Sequence, residues 1–152
     1  LYKVLYWLET ARRAGGNQNL VIGTAQAAAG YAGTKGANAD RVAILWDWQQ
    51  LERFGCFDPA GMAELRKGNS PTITQGEHAG DSIALDHVLP RAVVPELAVR
   101  FYSLEAIPSK LNGKKSAKIT DREVKLALRW NREGLLSRAG LAAIENAGAA
   151  PE

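Results

Sequence analysis

SIALDHVLP, residues 82–90, is the stretch that decides the fold predicted for this chain. Ile83 and Leu85 alternate with smaller or polar residues, which predicts a short strand that packs on one side before a proline ends it. Asp86 and His87 lie near the end of that strand. Because a regular pleat points neighbouring side chains to opposite faces, the two can serve one site only if it is approached from two sides or if the strand end is bent.

A second stretch, YSLEAIPSKLNGKKSAK at residues 102–118, predicts a strand from about Phe101 to Ile107 and then a loop. Asn112 lies in that loop, where Gly113 allows a tight turn. Aspartate and asparagine offer hard oxygen ligands to a divalent cation, and histidine can take a proton from water near neutral pH. The loop is also basic and could bind phosphate oxygens. Its cations are Lys110, Lys114, Lys115 and Lys118.

The order of these two motifs resembles that of the HNH nucleases. Asp86-His87-Val-Leu-Pro is followed by a loop, and Leu-Asn112-Gly-Lys-Lys-Ser then precedes a helix. The closest form is the D-H…N version of CRISPR RNA-guided effectors and phage junction resolvases, and the resemblance covers roughly residues 76–138. It implies a ββα-metal fold in which Asp86 and Asn112 are metal ligands and His87 is the general base. The activity it implies is metal-dependent endonuclease cleavage of DNA.

Many members of that family carry a third His or Asn ligand on the helix after the central asparagine, and this helix has no histidine. Asp121 and Asn131 are the candidates there. Two oxygen ligands suit Mg²⁺ or Mn²⁺, because Mg²⁺ keeps several waters, whereas zinc is less favoured because it takes three or four His or Cys ligands. Two further residues are accessory candidates: His78, as a ligand or proton shuttle in the preceding loop, and Ser103, as a polar residue that steadies the metal loop.

Composition indicates a single globular domain. The chain has 152 residues, 46% of them hydrophobic, and one cysteine, Cys56, which excludes an internal disulfide and paired CxxC zinc knuckles. There is no run of 18 or more apolar residues, and the opening LYKVLYWLE has no features of a secretion signal. We therefore expect a cytoplasmic (intracellular) protein without a membrane span.

Positive charge is concentrated around the predicted site. From Asp86 to Arg138 there are 11 Lys and Arg against 6 Asp and Glu, a net charge of +5 in a chain whose total is +3. The remainder therefore carries about −2. A basic segment suits a polyanionic substrate, so DNA is the expected partner, with RNA as the alternative.

The predicted fold class is α+β, predominantly helical, with an HNH core at residues 76–138. An N-terminal helical region, residues 1–75, packs on or leads to it, and residues 139–152 form a short helix and tail. A capping box, Thr120 with Glu123, predicts that a helix begins at about Asp121. The N-terminal helices are predicted from Tyr2 to about Ala14, from about Gln18 to Ala32, from a cap at Asn38 or Asp40 to Phe54, and between the cap Asp58 and the closing Gly68.

Two tryptophans on the third of these helices, Trp46 and Trp48, are interpreted as core residues rather than as platforms for bases.

Two alternatives to the nuclease remain open. One is a non-catalytic nucleic-acid-binding module with an HNH-like fold, which would bind DNA or RNA without a divalent ion. The other is a toxin or effector domain of a larger protein.

Overall fold

A computed structural model describes residues 1–114 and 118–149, and for Lys114 it describes the backbone alone. The described chain is α+β and mostly helical. Four helices precede the sheet: α1 (Tyr2–Arg13), α2 (Gln18–Ala28), α3 (Lys35–Arg53) and α4 (Pro59–Lys67). The sheet consists of β1 (Ile83–His87) and β2 (Leu104–Pro108), and it is followed by α5 (Ser109–Lys114), α6 (Asp121–Arg132) and α7 (Arg138–Ala149).

Local signals fix the ends of α4 and the start of α6, as predicted. The carboxylate of Asp58 accepts a hydrogen bond of 2.8 Å from the N–H of Gly61, Pro59 opens the helix, and Gly68 ends it with a φ of 86°. At α6, Thr120 and Glu123 form the capping box. Each of these ends is determined by residues within a few positions of it.

The predicted cap of α3 is wrong. The helix begins at Lys35, because the hydroxyl of Thr34 accepts the N–H of Ala37 at 3.1 Å. Asn38 and Asp40 lie inside the helix instead. The second helix is also shorter than predicted, since it ends at Ala28 two residues before a glycine with a φ of 80°.

The region around Asn112 is helical, not a loop with a tight turn. α5 follows β2 directly, and Gly113 belongs to it. β2 itself begins three residues later than predicted, because Phe101–Ser103 form a single 3₁₀ turn. Asn112 is therefore held by regular backbone hydrogen bonding rather than by a turn.

The two strands are antiparallel and pack against the helical N-terminal region. Asp86 lies opposite Glu105, and His87 lies opposite Leu104. Ile83 and Ala106 belong to the same buried cluster as residues of α1, α3 and α4. That cluster is Leu5, Leu8, Ile22, Ile44, Leu51, Cys56, Leu65, Ile73, Ile83 and Ala106.

A second buried cluster is formed by residues that follow β1, and it includes Ile144 of α7. It joins α6 and α7 to the segment between the strands, residues 88–103. α7 is therefore packed through a fully buried isoleucine. The members are Leu89, Val94, Leu97, Ile119, Ala127, Trp130, Leu136 and Ile144. In the described part of the chain, no helix is both long and apolar enough to span a bilayer.

Two buried carboxylates of α3 bind the backbone of the second strand region. Asp40 accepts the N–H of Tyr102 at 3.0 Å, and Asp47 accepts the N–H of Ala106 at 2.9 Å. Both side chains are buried, and the second oxygen of Asp47 has no hydrogen-bond partner among the described residues. Burial raises the pKa of Asp47 from 3.8 to about 7, against the lowering effect of the Ala106 hydrogen bond.

We predict that Asp47→Asn removes a pH-dependent loss of stability, so that the variant gains on the wild type as pH rises through about 7. The folded carboxyl binds its proton more tightly than the unfolded one, so its contribution to stability is fully present below about pH 4 and is lost as pH rises through about 7. The loss is on the order of 2–4 kcal/mol. Asparagine keeps an acceptor for Ala106 and carries no charge. Denaturant unfolding at several pH values should show the variant gaining on the wild type as pH rises. A difference that is constant with pH would contradict this.

Candidate active site

One pocket at the end of β1 brings together four of the residues predicted from sequence. It has a volume of about 310 Å³, and its lining includes Asp86, His87, Asn112 and Lys118. The pocket forms where β1 ends and the chain turns into the segment 88–103. Both Asp86 and His87 belong to its lining, although the two are neighbours in a strand. Its other lining residues are Leu85, Val88, Pro90, Arg91, Ala92 and Glu123.

The imidazole of His87 is oriented by a backbone carbonyl. Its Nε2 lies 3.2 Å from the carbonyl oxygen of Ala98, and the ring is half-buried. A carbonyl oxygen only accepts, so this hydrogen bond places the proton on Nε2. In the neutral ring Nδ1 is then the unprotonated nitrogen, which is the one able to take a proton.

Ser103 secures the segment that presents this carbonyl. The residue is fully buried, and its hydroxyl lies within hydrogen-bond distance of the carbonyls of Leu97 and Arg100, on either side of Ala98. Its own carbonyl accepts the N–H of Val88 at 2.8 Å, which extends the strand pairing by one step. These contacts act on the segment that presents Ala98 to His87, and the role of Ser103 in steadying the metal loop stays a prediction.

Asn112 reaches the pocket because the start of α5 is tied to the start of β1. The N–H of Lys110 donates to the carboxylate of Asp81 at 2.9 Å, and this bond lowers the pKa of Asp81. The hydroxyls of Ser82 and Ser109 are also 2.8 Å apart. α5 is therefore anchored at its first turn, with Asn112 half-buried in the pocket wall.

Glu123 is the carboxylate that α6 contributes to the pocket, and sequence reasoning had assigned it to helix capping alone. One of its oxygens accepts the N–H of Thr120 at 2.9 Å and also bonds the Thr120 hydroxyl. Burial acts to raise its pKa, but these bonds outweigh burial and the pKa is lowered. The two candidates named on α6 lie elsewhere: Asp121 is exposed and outside the pocket lining, and Asn131 donates to the carbonyl of Leu136 at 3.0 Å.

Other predicted site residues lie away from the pocket or beyond what the structure describes. The side chain of Lys110 is exposed and is not part of the lining. His78 lies 3.4 Å from Glu77 and packs edge-on against the ring of Phe54, so it is not brought to His87. The side chain of Lys114 and all of Lys115 fall outside the described residues.

The donors in the pocket are oxygens of the kind that Mg²⁺ and Mn²⁺ prefer. Asp86 and Asn112 supply a carboxylate and an amide oxygen, and Glu123 supplies a second carboxylate. Within residues 1–114 and 118–149, no group of three or more His, Cys, Asp or Glu side chains is placed to hold a metal ion. The donor set fits a hard divalent ion that keeps part of its water shell better than it fits zinc.

Comparisons with known proteins give no match. No family model, no curated protein and no solved structure is significantly similar to this chain. The chemistry of the pocket is therefore the basis for inferring a function.

We predict that neutral His87 carries its proton on Nε2. The chain has two histidines, so long-range ¹H–¹⁵N spectra of the imidazole rings contain two patterns, and His78 serves as the internal reference. His87 should show a protonated Nε2 and an unprotonated Nδ1, because Nε2 donates to Ala98. The reverse pattern for His87 would show that Nδ1 is not the available base.

Proposed function

We propose that this protein is a metal-dependent endonuclease of the HNH type that hydrolyses phosphodiester bonds in DNA. The observation that carries the proposal is the shared pocket, in which an imidazole oriented by Ala98 lies with Asp86, Asn112 and a lysine. A base, oxygen ligands and a cation are the groups that phosphodiester hydrolysis requires. The proposed location is intracellular, where DNA is the substrate and RNA the alternative.

In this proposal His87 is the general base. Nδ1 takes a proton from a water molecule as its oxygen attacks the phosphorus, and the bond from phosphorus to the 3′ oxygen breaks. The hydrogen bond from Nε2 to Ala98 keeps the ring in place and stabilises the positive charge that the imidazole acquires. The leaving oxygen then takes a proton from solvent, which balances the reaction.

Asp86 and Asn112 would hold Mg²⁺ or Mn²⁺, and we propose Glu123 as the third oxygen donor in place of Asp121. A bound divalent ion supplies charge stabilisation at the phosphate and at the leaving oxygen. The capping bonds of Glu123 use one carboxylate oxygen, so its other oxygen can serve the ion without loss of the cap.

Cations around the pocket would position the phosphates of the substrate. Lys118 and Arg91 belong to the lining, and both are exposed. We propose that Lys110, Lys114 and Lys115, which lie close together in the sequence, contact flanking phosphates. These contacts would weaken as salt concentration increases, independently of the divalent ion.

The proposal predicts metal-dependent nicking that needs His87. Supercoiled plasmid is incubated with the protein in Mg²⁺, in Mn²⁺ and in EDTA, and the conversion to open-circle or linear DNA is measured. His87→Ala should lower the rate by roughly 10²- to 10⁴-fold, because it removes the base. His78→Ala is the matched control, since it removes the other histidine, and it should cut at the wild-type rate.

Full activity of the His87→Ala protein would show that His87 is not the base. Absence of cutting in every metal, with salt-sensitive DNA binding retained, would favour the non-catalytic binding module. Equal activity in EDTA would exclude a divalent ion from the mechanism.

A further inference from the structure

A second and larger groove, here called the α3 groove, lies beside the candidate active site. It has a volume of about 680 Å³ and shares Val88 with the active-site pocket. One wall comes from α3 and the other from α6 and the residues after it, with the start of β2 between them. Its lining is Lys35, Asn38, Ala39, Val42, Ala43, Trp46, Val88, Tyr102, Leu104, Glu105, Arg129, Trp130, Glu133 and Leu135.

α3 carries two apolar stripes, and only one of them is buried in the core. The buried stripe runs from Ala37 through Ile44 to Leu51. The other consists of Ala39, Val42, Ala43 and Trp46, with the i, i+3, i+4, i+7 spacing of one helix face, and it lines the groove. Val42 is 70% exposed and Trp46 is 41% exposed. The interpretation of Trp46 as a core residue is therefore wrong.

The opposite wall of the groove is rigid and aromatic. The ring of Trp130 is 6% exposed and meets the ring of Tyr102 edge-on, with centroids 5.3 Å apart. The hydroxyl of Tyr102 donates to the carbonyl of Leu135 at 2.7 Å. The wall facing Trp46 is thus fixed by packing and by a hydrogen bond.

The register of the sheet places this groove next to the proposed chemistry. Leu104 and Glu105 line the groove and lie directly opposite His87 and Asp86 across the strand pair. Residues opposite each other in an antiparallel pair are about 5 Å apart. The groove therefore begins on the strand that pairs with the one carrying His87, and a nucleotide next to a phosphate at His87 lies within reach of it.

Polar groups of the groove match the parts of a nucleotide. Lys35 and Arg129 are cations suited to phosphate oxygens, and Arg129 forms an exposed ion pair of 3.6 Å with Glu133 that a phosphate would replace. The amide oxygen of Asn38 accepts from Arg41 at 2.7 Å, and its NH₂ group can donate to the edge of a base. The exposed indole of Trp46 offers a face for stacking, which every base can use. A base inside a duplex cannot do so, because both of its faces are already stacked.

We propose that the α3 groove binds an unpaired nucleobase next to the scissile phosphate, so that the substrate is DNA with a single-stranded segment. This inference rests on the proposed nuclease function. Trp46 stacks on the base, and Lys35 and Arg129 contact the adjacent phosphates.

The test is binding of a single-stranded oligothymidylate, measured by fluorescence anisotropy with the full chain carrying His87→Ala in Mg²⁺, so that no cutting occurs. In this background Trp46→Ala and, separately, Val42→Asp should each weaken binding by roughly tenfold. Both positions are exposed, and far-UV circular dichroism checks that the variants fold. Trp7→Ala is the matched control, because Trp7 is 64% exposed on α1 and outside the α3 groove, and it should bind as the parent does.

An oligonucleotide of the same length with abasic sugars should bind the parent protein about as weakly as oligothymidylate binds the Trp46→Ala protein. Equal affinity of the Trp46→Ala, Val42→Asp and Trp7→Ala proteins would overturn the inference, and so would a failure to bind the oligothymidylate. The two proposals can fail separately. Plasmid nicking with no effect of Trp46 on oligonucleotide binding would reject only the groove, whereas Trp46-dependent binding by a protein that never cuts would reject only the nuclease.

Discussion

Two carboxylates on one face of α3 attach the helical part of the molecule to the sheet. Asp40 and Asp47 are seven residues apart, about 10.5 Å along the helix, and they bind the N–H groups of Tyr102 and Ala106. Tyr102 precedes β2 and Ala106 belongs to it. The pairing of β2 with β1 uses neither of these N–H groups. The arrangement satisfies buried backbone donors at the cost of a buried carboxylate oxygen without a partner. These two bonds fix α3 to β2 and to the turn that precedes it.

The sequence predicted those parts of the fold that depend on neighbouring residues. The cap at Asp58 and the capping box at Thr120 are confirmed. They could be predicted because each signal lies within four residues of the helix end that it determines. The cap of α3 was misplaced because Asp40 resembles a capping residue but forms its hydrogen bond with a partner 62 positions away. Trp46 was misread for a related reason: its helix has two apolar stripes, and hydrophobic periodicity does not say which one the core covers.

At the candidate site, residue types were more predictable than geometry. The motif singled out Asp86, His87 and Asn112, and the structure places all three in one pocket. The carbonyl that orients His87 could not be predicted, because every residue has a carbonyl and only the packing of the chain selects Ala98. Glu123 was missed for a different reason. Its capping role fully explained its presence at the third position of a helix, so nothing in the sequence marked a second role in the pocket.

Titration of the protein with substoichiometric Mn²⁺, followed by NMR, tests most directly the claim that these side chains form one metal-binding site. The paramagnetic ion broadens the signals of nearby nuclei. We expect the side-chain amide of Asn112 and the ring of His87 to lose intensity at Mn²⁺ concentrations that leave the ring of His78 unchanged, and we expect Asp86→Ala to abolish the effect. Broadening that affects both histidines equally, or that survives Asp86→Ala, would contradict the account.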